Sequence, residues 1–286
     1  MKILVTGANG QLGMSLRKIS GGYPSHEFIF TDLPEGDITD ADTIGRVVGD
    51  GVDVIVNCAA YTAVDRAESE REAAERVNAV GPAVLASVAA RYGCRLVHIS
   101  TDYVFGGDGC RPYTETDTPA PRSVYGCTKL AGEEAVRRSG ADAVVVRTAW
   151  LYSEFGHNFV KTMLRLADEG KPLRVVDDQR GTPTYATDLA RAVMTLVENG
   201  IKGFEVYHYT DGGNTTWYGF ASAIFRMAGM HVAVEPIPTS AYPTPASRPA
   251  YSVLDTSMIM AAGAVVPDWQ HSLGVCLGEL GRRGGE

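Results

Sequence analysis

Gly7-Ala-Asn-Gly10-Gln-Leu-Gly13 directly follows the apolar run Ile3-Leu4-Val5 and opens a segment with Leu12, Leu16 and Ile19 at helical spacing. This order predicts a strand, a tight turn and a helix, the unit that binds a dinucleotide. Glycines let backbone N–H groups approach a pyrophosphate, and a helix N-terminus adds unpaired donors and partial positive charge. The alternative is an ordinary turn, because glycines at this spacing also occur without a ligand.

A carboxylate closes the next apolar run, Glu27-Phe-Ile-Phe-Thr-Asp32, which ends 19 residues after Gly13. In a dinucleotide-binding unit, an acidic residue about 20 positions further on accepts hydrogen bonds from the adenosine ribose. We therefore assign Asp32 to the ribose, with a solvated residue at a strand end as the alternative. Its charge would repel a 2′-phosphate and favours NADH, whereas Arg17 and Lys18 would partly compensate. The choice between NADH and NADPH stays open.

The composition fits a globular protein of 286 residues with 45% apolar and 21% charged side chains. This length suits one large α/β domain or a main domain with a smaller one. The net charge of −8 argues against a nucleic-acid partner. No apolar stretch approaches the roughly 18 residues that span a membrane, and the chain enters the glycine motif too early for a signal peptide. Five scattered cysteines indicate free thiols in a reducing cytoplasm: Cys58, Cys94, Cys110, Cys127 and Cys276.

Apolar, β-branched runs alternate with helical patterns through the first half of the chain. The predicted strands are Ile3–Thr6, Phe28–Thr31, Val52–Asn57, Arg95–Ser100 and Ala143–Arg147, and helices are predicted at Ala67–Arg91 and Tyr125–Arg138. Continuous apolar strands separated by helices indicate a parallel sheet covered on both faces. The predicted fold is α/β, a Rossmann-type doubly wound parallel sheet.

Beyond Trp150 the alternation loosens. Helices are predicted around Asn158–Glu169 and Thr187–Glu198, strands at Leu173–Val176 and Glu205–Tyr209, a long loop with five prolines at Pro236–Pro249, and a frayed tail at 281–286. Long loops without regular structure usually bind something. We predict a dinucleotide-binding domain at 1–149, to which 181–212 returns, and a smaller C-terminal substrate-binding region at 150–180 and 213–286.

The second informative motif is Tyr125-Gly-Cys-Thr-Lys129, which opens a helix after the proline-rich loop Thr118–Pro121. Residues four apart share a helix face, so Lys129 can hold its ammonium near the Tyr125 phenol and lower the phenol pKa. Tyr125 then becomes a proton donor to a carbonyl oxygen, and Thr101, at the end of a predicted strand, donates a second hydrogen bond. The alternative is a surface tyrosine and lysine on an amphipathic helix.

At this point the chain resembles the extended short-chain dehydrogenase/reductases, which combine an N-terminal GxxGxxG with a downstream Tyr-x-x-x-Lys. They also carry a Ser or Thr about 24 residues before the tyrosine, as Thr101 stands 24 residues before Tyr125 here. Further stretches resemble one of their families, the dTDP-4-dehydrorhamnose reductases: Asn57–Asp65, Ser100–Phe105, Arg147–Tyr152, Asn158–Met163 and Pro243–Pro249. The resemblance runs from Met1 to about Trp269.

The resemblance implies NAD(P)H-dependent reduction of the C4 ketone of a nucleotide-activated 6-deoxy sugar, with Thr101, Tyr125 and Lys129 as the catalytic set. It places Gly10, Gln11 and Leu12 on the cofactor pyrophosphate between Gly7 and Gly13, Asp37 and Ile38 near the adenine, and Ala60, Tyr61 and Thr62 beside the ribose and nicotinamide. Lys129 would also hold the nicotinamide ribose. It gives Thr101 and Asp102 contacts to the sugar and packs Trp150 on it, with a buried core tryptophan as the alternative. Our own candidate for the substrate pyrophosphate is Arg248, because its fork matches phosphate oxygens, although a solvated loop arginine is the alternative.

One departure from the family concerns metal. Members that bind Mg²⁺ between subunits use two glutamates, and the corresponding positions here are Ser15 and Thr187. Neither is a convincing ligand for a hard cation by itself. We therefore predict no metal site, and a monomer or a metal-independent homodimer.

Two further functions remain alternatives. A related dTDP-4-keto-sugar ketoreductase of a natural-product pathway would share the same chemistry. A non-catalytic regulatory subunit, as in the regulatory subunit of methionine adenosyltransferase, would bind the cofactor without reacting. The complete set of Thr101, Tyr125 and Lys129 argues against the second, because a binding subunit needs no proton donor.

Overall fold

The computed structural model describes residues 1–282, so the last four residues of the predicted frayed tail lie outside the described residues. Gly281 and Arg282 are held in place, since the Arg282 guanidinium pairs with Asp168 at 2.5 Å. The strands are β1 Lys2–Thr6, β2 Glu27–Phe30, β3 Val54–Asn57, β4 Arg95–Thr101, β5 Ala143–Thr148, β6 Leu151–Tyr152, β7 Leu173–Val176, β8 Arg180–Gly181, β9 Thr184–Tyr185, β10 Phe204–His208, β11 Thr215–Thr216 and β12 Val234–Ile237.

The helices are α1 Gln11–Ile19, α2 Ala41–Gly49, α3 Val64–Ala67, α4 Arg71–Glu75, α5 Gly81–Tyr92, α6 Val124–Arg138, α7 Phe159–Asp168, α8 Ala186–Asn199, α9 Trp217–Met227, α10 Ser257–Ala261 and α11 Trp269–Glu279. Short 3₁₀ turns stand at Ser20–Gly22, Asp102–Val104 and Thr239–Ala241, and a wider turn with π-helical bonding at Arg76–Val80 joins α4 to α5. None of the helices in residues 1–282 is long and apolar enough to cross a bilayer.

Six strands form the central sheet in the order β10-β5-β4-β3-β1-β2, and every neighbouring pair is parallel. All six correspond to predicted strands, so the Rossmann-type doubly wound fold is confirmed. The order reverses at β1, which pairs with β2 on one side and β3 on the other. A reversal of this kind opens a crevice at the carboxyl ends of the strands, where α/β proteins bind ligands.

Alternating side chains of β1 point to opposite faces of the sheet. Ile3 and Val5 pack with α1 and α8, whereas Leu4 packs on the opposite face with Ile44 of α2 and Leu85 of α5. All three β1 side chains are fully buried. Burying one such side chain stabilises the fold by about 1.5–3 kcal/mol. The central strand β1 is therefore packed against helices on both faces of the sheet.

A third apolar cluster lies outside the central sheet. It joins Tyr152 to α7, α9 and α11 through Val160, Phe220, Ile224 and Leu273. Strand β7 matches the predicted Leu173–Val176 but pairs with β12 in a separate two-stranded sheet. Apart from Tyr185, the buried side chains of this cluster come from the region that we predict to bind substrate. The domain boundaries themselves stay a prediction.

Two predicted elements need correction. The helix predicted at Ala67–Arg91 is interrupted after Ala67, and the chain becomes helical again at Arg71. The wide turn at Arg76–Val80 lets Asn78 turn inward, where its amide bonds both the N–H and the carbonyl of Tyr61 at 2.9 and 3.0 Å. The long loop predicted at Pro236–Pro249 begins later, because its first residues extend β12 alongside β7. A proline fits at that edge position since its missing N–H faces away from the partner strand.

Candidate active site

The glycine turn leaves β1 at the reversal point of the sheet. Gly7 has a φ of +61°, and a Cβ there would stand 2.5 Å from the Ala59 nitrogen at the end of β3. A Cβ on Gly13 would stand 2.5 Å from the Gly7 carbonyl oxygen, so α1 packs tightly against the turn. Larger residues at either position would push the helix and the strand apart.

Gly10 is less crowded than Gly7 and Gly13. A Cβ at this position would meet only the Gly7 oxygen, at 3.3 Å, and its open side borders a cavity. The N-terminus of α1 begins at the next residue without a side-chain cap, so its first N–H groups keep their donors for an anion. The turn therefore has the open space and the donors that a pyrophosphate needs, and it fits a dinucleotide cofactor.

The cavity has a volume of about 620 Å³ and gathers residues from seven segments of the chain at the carboxyl edge of the sheet. The predicted site residues on its wall are Gly10, Gln11, Leu12, Ala60, Thr62, Thr101, Asp102, Tyr125, Lys129 and Trp150. Segments that are more than 100 residues apart in the sequence thus meet in one space. The predicted catalytic set and the predicted pyrophosphate turn face the same cavity, and their roles stay predictions.

Helix α6 carries Tyr125 and Lys129 into the cavity. The Ser123 hydroxyl caps the helix by accepting the Gly126 N–H at 3.1 Å, and the Glu68 carboxylate accepts the Val124 N–H at 2.9 Å. Gly126 has no room for a side chain against the Tyr103 carbonyl. This close approach places the first turn of α6 directly beside the end of β4.

The prediction that Lys129 lowers the pKa of Tyr125 is wrong for this arrangement. Burial raises the pKa of Tyr125 to about 12, hydrogen bonding with Thr101 opposes that rise, and the charge of Asp102 adds to it. The Lys129 ammonium instead donates to the Ile99 carbonyl at 2.6 Å. Tyr125 is therefore fully protonated near neutral pH, as a proton donor must be.

The side chains of Thr101 and Asp102 at the end of β4 are joined by a hydrogen bond. The Thr101 hydroxyl donates to Asp102 Oδ1 at 3.0 Å and accepts the Tyr103 N–H at 3.2 Å. Burial raises the pKa of Asp102 to about 6. A carboxyl group with this pKa is close to half-protonated just below neutral pH, and it faces the cavity beside the tyrosine.

Trp150 lies on the cavity wall in an unusual backbone conformation, with a φ of +45°. Its indole stacks on Trp217 with ring centroids 3.6 Å apart, and a Cβ on Gly181 would reach within 2.6 Å of it. Non-glycine residues at positive φ are uncommon and are held there by their surroundings. The structure thus places Trp150 at the cavity, partly exposed, and not within a closed core.

Asp32 stands beside the glycine turn. Its carboxylate accepts the N–H groups of Asn9 and Leu33, both at 2.8 Å. The two basic residues that would compensate for its charge are engaged elsewhere, since Lys18 pairs with Glu154 at 2.7 Å and the Arg17 guanidinium lies 4.3 Å above the Phe30 ring. The placement of Asp32 agrees with a role at the adenosine ribose, which stays a prediction.

Other predicted cofactor residues have local partners. Asp37 accepts hydrogen bonds from Thr39, and Ile38 is buried in the core against Gly81. Tyr61 turns its phenol away from the cavity to donate to Glu70 at 2.5 Å. Within residues 1–282, these three side chains are not part of the cavity wall.

Arg248 lies in a neighbouring cavity of about 500 Å³, which shares Trp217 with the first. Its guanidinium forms a two-point ion pair with Asp65 at 2.7 and 3.0 Å and lowers the pKa of that carboxyl. The arginine is therefore already paired, and a substrate phosphate would have to share it with Asp65.

Sequence reasoning missed several wall residues. Trp217 and His157 carry no motif, and they reach the cavity only because α9 and the 153–158 loop fold over it. The Gln11 side chain joins that loop by accepting hydrogen bonds from Ser153 at 2.9 Å and Asn158 at 3.0 Å. Gln11 thus connects the predicted pyrophosphate turn to the predicted substrate-binding region.

The two positions at issue for metal binding, Ser15 and Thr187, are both buried on helices that pack against each other, α1 and α8. Ser15 donates to the Gln11 carbonyl at 2.9 Å. The part of the chain that the structure describes contains no group of three or more His, Cys, Asp or Glu side chains arranged to hold a metal ion. All five cysteines are free thiols, as predicted.

Comparison with known proteins extends over nearly the whole chain. The family model described as RmlD substrate binding domain matches residues 1–282. A dTDP-4-dehydrorhamnose reductase of Burkholderia thailandensis is 43% identical and covers 98% of this chain and 99% of its own length. The crystal structure of a dTDP-4-dehydrorhamnose reductase from Clostridium acetobutylicum has a TM-score of 0.94 at 43% identity, over 98% of this chain and 100% of that chain. The corresponding enzyme from Bacillus anthracis, in complex with NADP, has a TM-score of 0.92 at 39% identity, over 97% and 99%.

Proposed function

The chain belongs to the RmlD substrate binding domain family, and from that membership we propose that it is an NAD(P)H-dependent reductase of a nucleotide-activated 4-keto sugar. The substrate is dTDP-4-dehydro-L-rhamnose and the product dTDP-L-rhamnose, as the names of its relatives suggest. The observation that carries the proposal is one cavity lined by the glycine turn, Thr101, Tyr125 and Lys129.

In this function the chain's own residues bind, orient and protonate. The turn from Gly10 to Leu12 would hold the cofactor pyrophosphate, and Lys129 the nicotinamide ribose. Bound NAD(P)H supplies a hydride to the carbonyl carbon of the sugar. Tyr125 donates its phenolic proton to the carbonyl oxygen, and Thr101 turns its hydroxyl from Asp102 towards the same oxygen.

The substrate would extend from this centre towards the neighbouring cavity. Asp102 would contact the sugar hydroxyls, and the Trp150 indole would pack on the sugar face. Arg248 borders the neighbouring cavity, where its guanidinium would reach the substrate pyrophosphate. We also propose a cytoplasmic location, supported by the five free thiols, and a monomer or metal-independent homodimer.

The test is NADPH and NADH oxidation with a panel of dTDP-4-keto-6-deoxy sugars. Turnover that is fastest with the rhamnose precursor supports the proposal. Faster turnover of another 4-keto sugar would favour a natural-product ketoreductase. Cofactor binding without oxidation of any substrate would favour a non-catalytic regulatory subunit.

Asp32→Ala is expected to weaken NADH binding more than NADPH binding. Removing a carboxylate near the ribose relieves repulsion of the 2′-phosphate, worth about 1 kcal/mol or roughly a five-fold change in the ratio of dissociation constants. The measurement is calorimetric titration with both cofactors. Asp32→Asn is the matched control, because it removes the charge while keeping an acceptor for the Asn9 N–H. If both variants leave the ratio unchanged, Asp32 does not face the ribose.

Activity is expected to survive exhaustive chelation, because Ser15 and Thr187 stand where metal-binding relatives use glutamates. Mg²⁺ sheds its water reluctantly and usually needs one or two carboxylates. The measurements are turnover and mass in solution after chelation, before and after Mg²⁺ is added. A loss of turnover or of a dimer that Mg²⁺ restores would contradict this expectation.

A further inference from the structure

A row of buried polar side chains leads from β1 to Lys129. The Thr6 hydroxyl donates to Asn57 Oδ1 at 2.8 Å, Asn57 Nδ2 lies 3.0 Å from His98 Nδ1, and His98 Nε2 lies 3.5 Å from Lys129 Nζ. All four side chains are essentially inaccessible to solvent. Three neighbouring strands, β1, β3 and β4, supply the row in their natural order across the sheet.

The orientation of the Asn57 amide is fixed by the backbone. The Ala59 N–H donates to Asn57 Oδ1 at 3.1 Å, and an N–H can only donate, so this atom is the amide oxygen. The amide NH₂ therefore points at His98 and donates to Nδ1. A ring nitrogen that accepts a hydrogen bond carries no hydrogen itself, so the hydrogen of the neutral His98 ring sits on Nε2.

This tautomer directs an N–H group at Lys129. An ammonium group has three hydrogens and no lone pair, so it cannot accept the hydrogen of His98 Nε2. A neutral amine can accept it. Burial, with the charge of Lys129 as a second cause, lowers the pKa of His98 far below its usual range, so the ring stays neutral while this contact exists.

We propose that His98 is a positioning residue for this reaction: through the hydrogen that Asn57 keeps on Nε2, it disfavours the ammonium form of Lys129 until the cofactor binds. This inference rests on the proposed function in one respect only, that Lys129 contacts the cofactor. The bound ribose hydroxyls would supply the acceptors that His98 does not. Protonation of Lys129 is thereby linked to cofactor binding.

The surroundings of Lys129 are consistent with a finely balanced proton. Burial lowers the pKa of Lys129 to about 8, and the charge of Glu133 on the same helix opposes this shift. Glu133 is itself committed to Arg147, at 2.7 Å. The titratable groups that share the cavity with Lys129 are Cys58, Asp102, Tyr103, Tyr125 and His157. Among residues 1–282, the groups at hydrogen-bond distance from the Lys129 nitrogen are the Ile99 carbonyl at 2.6 Å and His98 Nε2 at 3.5 Å.

The test is the pH dependence of NADH affinity, followed by quenching of tryptophan fluorescence between about pH 6 and 10. In the wild type, affinity is expected to fall as pH rises through the Lys129 pKa, because the neutral amine is a weaker partner for the ribose. Asn57→Asp replaces the donor to Nδ1 by an acceptor. The hydrogen of the His98 ring then moves to Nδ1, and Nε2 accepts a hydrogen bond from the Lys129 ammonium. The NADH affinity of this variant is therefore expected to fall at a pH at least about one unit higher than in the wild type.

Thr6→Val is the matched control. It removes a hydroxyl from the same row, but the Ala59 N–H still fixes the Asn57 amide, so the fall is expected at the wild-type pH. Nitrogen-15 spectra of the wild-type imidazoles give a second measurement that needs no variant to fold with Asp at position 57. The His98 signals, identified by their absence from His98→Gln, are expected to show the hydrogen on Nε2.

A hydrogen on Nδ1 in the wild type, or an Asn57→Asp profile that coincides with the wild type, would overturn the inference. Both measurements use the protein without a sugar substrate. Failure to reduce a 4-keto sugar would therefore contradict the proposed function and leave this test intact.

Discussion

Tyr125→Phe is expected to bind cofactor normally and to lose about 10²–10⁴-fold in kcat, the usual contribution of a positioned general acid. The phenol is protonated across the working range because burial raises the pKa of Tyr125 to about 12. It can therefore donate when negative charge develops on the carbonyl oxygen. The loss belongs to kcat because the proton is needed in the transition state.

Steady-state kinetics with the 4-keto sugar, together with titration of cofactor binding, measure the two halves of this expectation. Tyr207→Phe is the matched control, since its hydroxyl bonds Glu205 on the exposed edge strand β10. A Tyr125→Phe enzyme with near wild-type kcat would show that another group donates the proton. A variant that no longer binds cofactor would show that the phenol supports the binding site instead.

The second large effect is expected on stability. Glu133→Gln should lower the free energy of unfolding by about 3–5 kcal/mol, because removing one partner of a buried ion pair leaves the other charge uncompensated. Arg147 donates to the Glu133 carboxylate at 2.7 and 3.0 Å, and the Ser100 hydroxyl donates to it at 2.5 Å. This group of three connects α6 to β4 and β5 directly below the active site.

Urea unfolding monitored by circular dichroism measures the change. Glu134→Gln is the control on the same helix, since Glu134 forms an exposed ion pair with Arg137. Exposed pairs contribute about 0–1 kcal/mol. If the two variants lost equal stability, the buried pair would carry no special share of the fold's stability.

Local sequence patterns predicted the central sheet well because each pattern reflects a constraint within a few residues. The apolar runs of β1, β3 and β5 are buried on both faces, so they contain almost no polar interruption. The turn at Gly7 needs a positive φ, which glycine alone adopts without cost. The 24-residue spacing from Thr101 to Tyr125 spans the loop between β4 and α6.

The C-terminal region was harder to predict. Helices α9 and α11 and the short strands β6, β8, β9 and β11 were not predicted, because their stability comes from packing with distant segments. The break before Arg71 carries no proline or glycine to mark it. The wide turn at Arg76–Val80, in which the Asn78 amide oxygen accepts the Tyr61 N–H, contains neither residue either. Short elements with weak periodicity depend on tertiary contacts in this way.

By itself the sequence determined the fold class, the glycine turn after β1 and the residue types of the predicted catalytic set, because glycine geometry and helix spacing are local properties. Tertiary structure alone decided what surrounds those residues. It buried Tyr125 and raised its pKa, directed Lys129 to the Ile99 carbonyl and paired Arg248 with Asp65. Desolvation and pairing depend on groups far apart in the chain, so these protonation states and partners follow only from the folded arrangement.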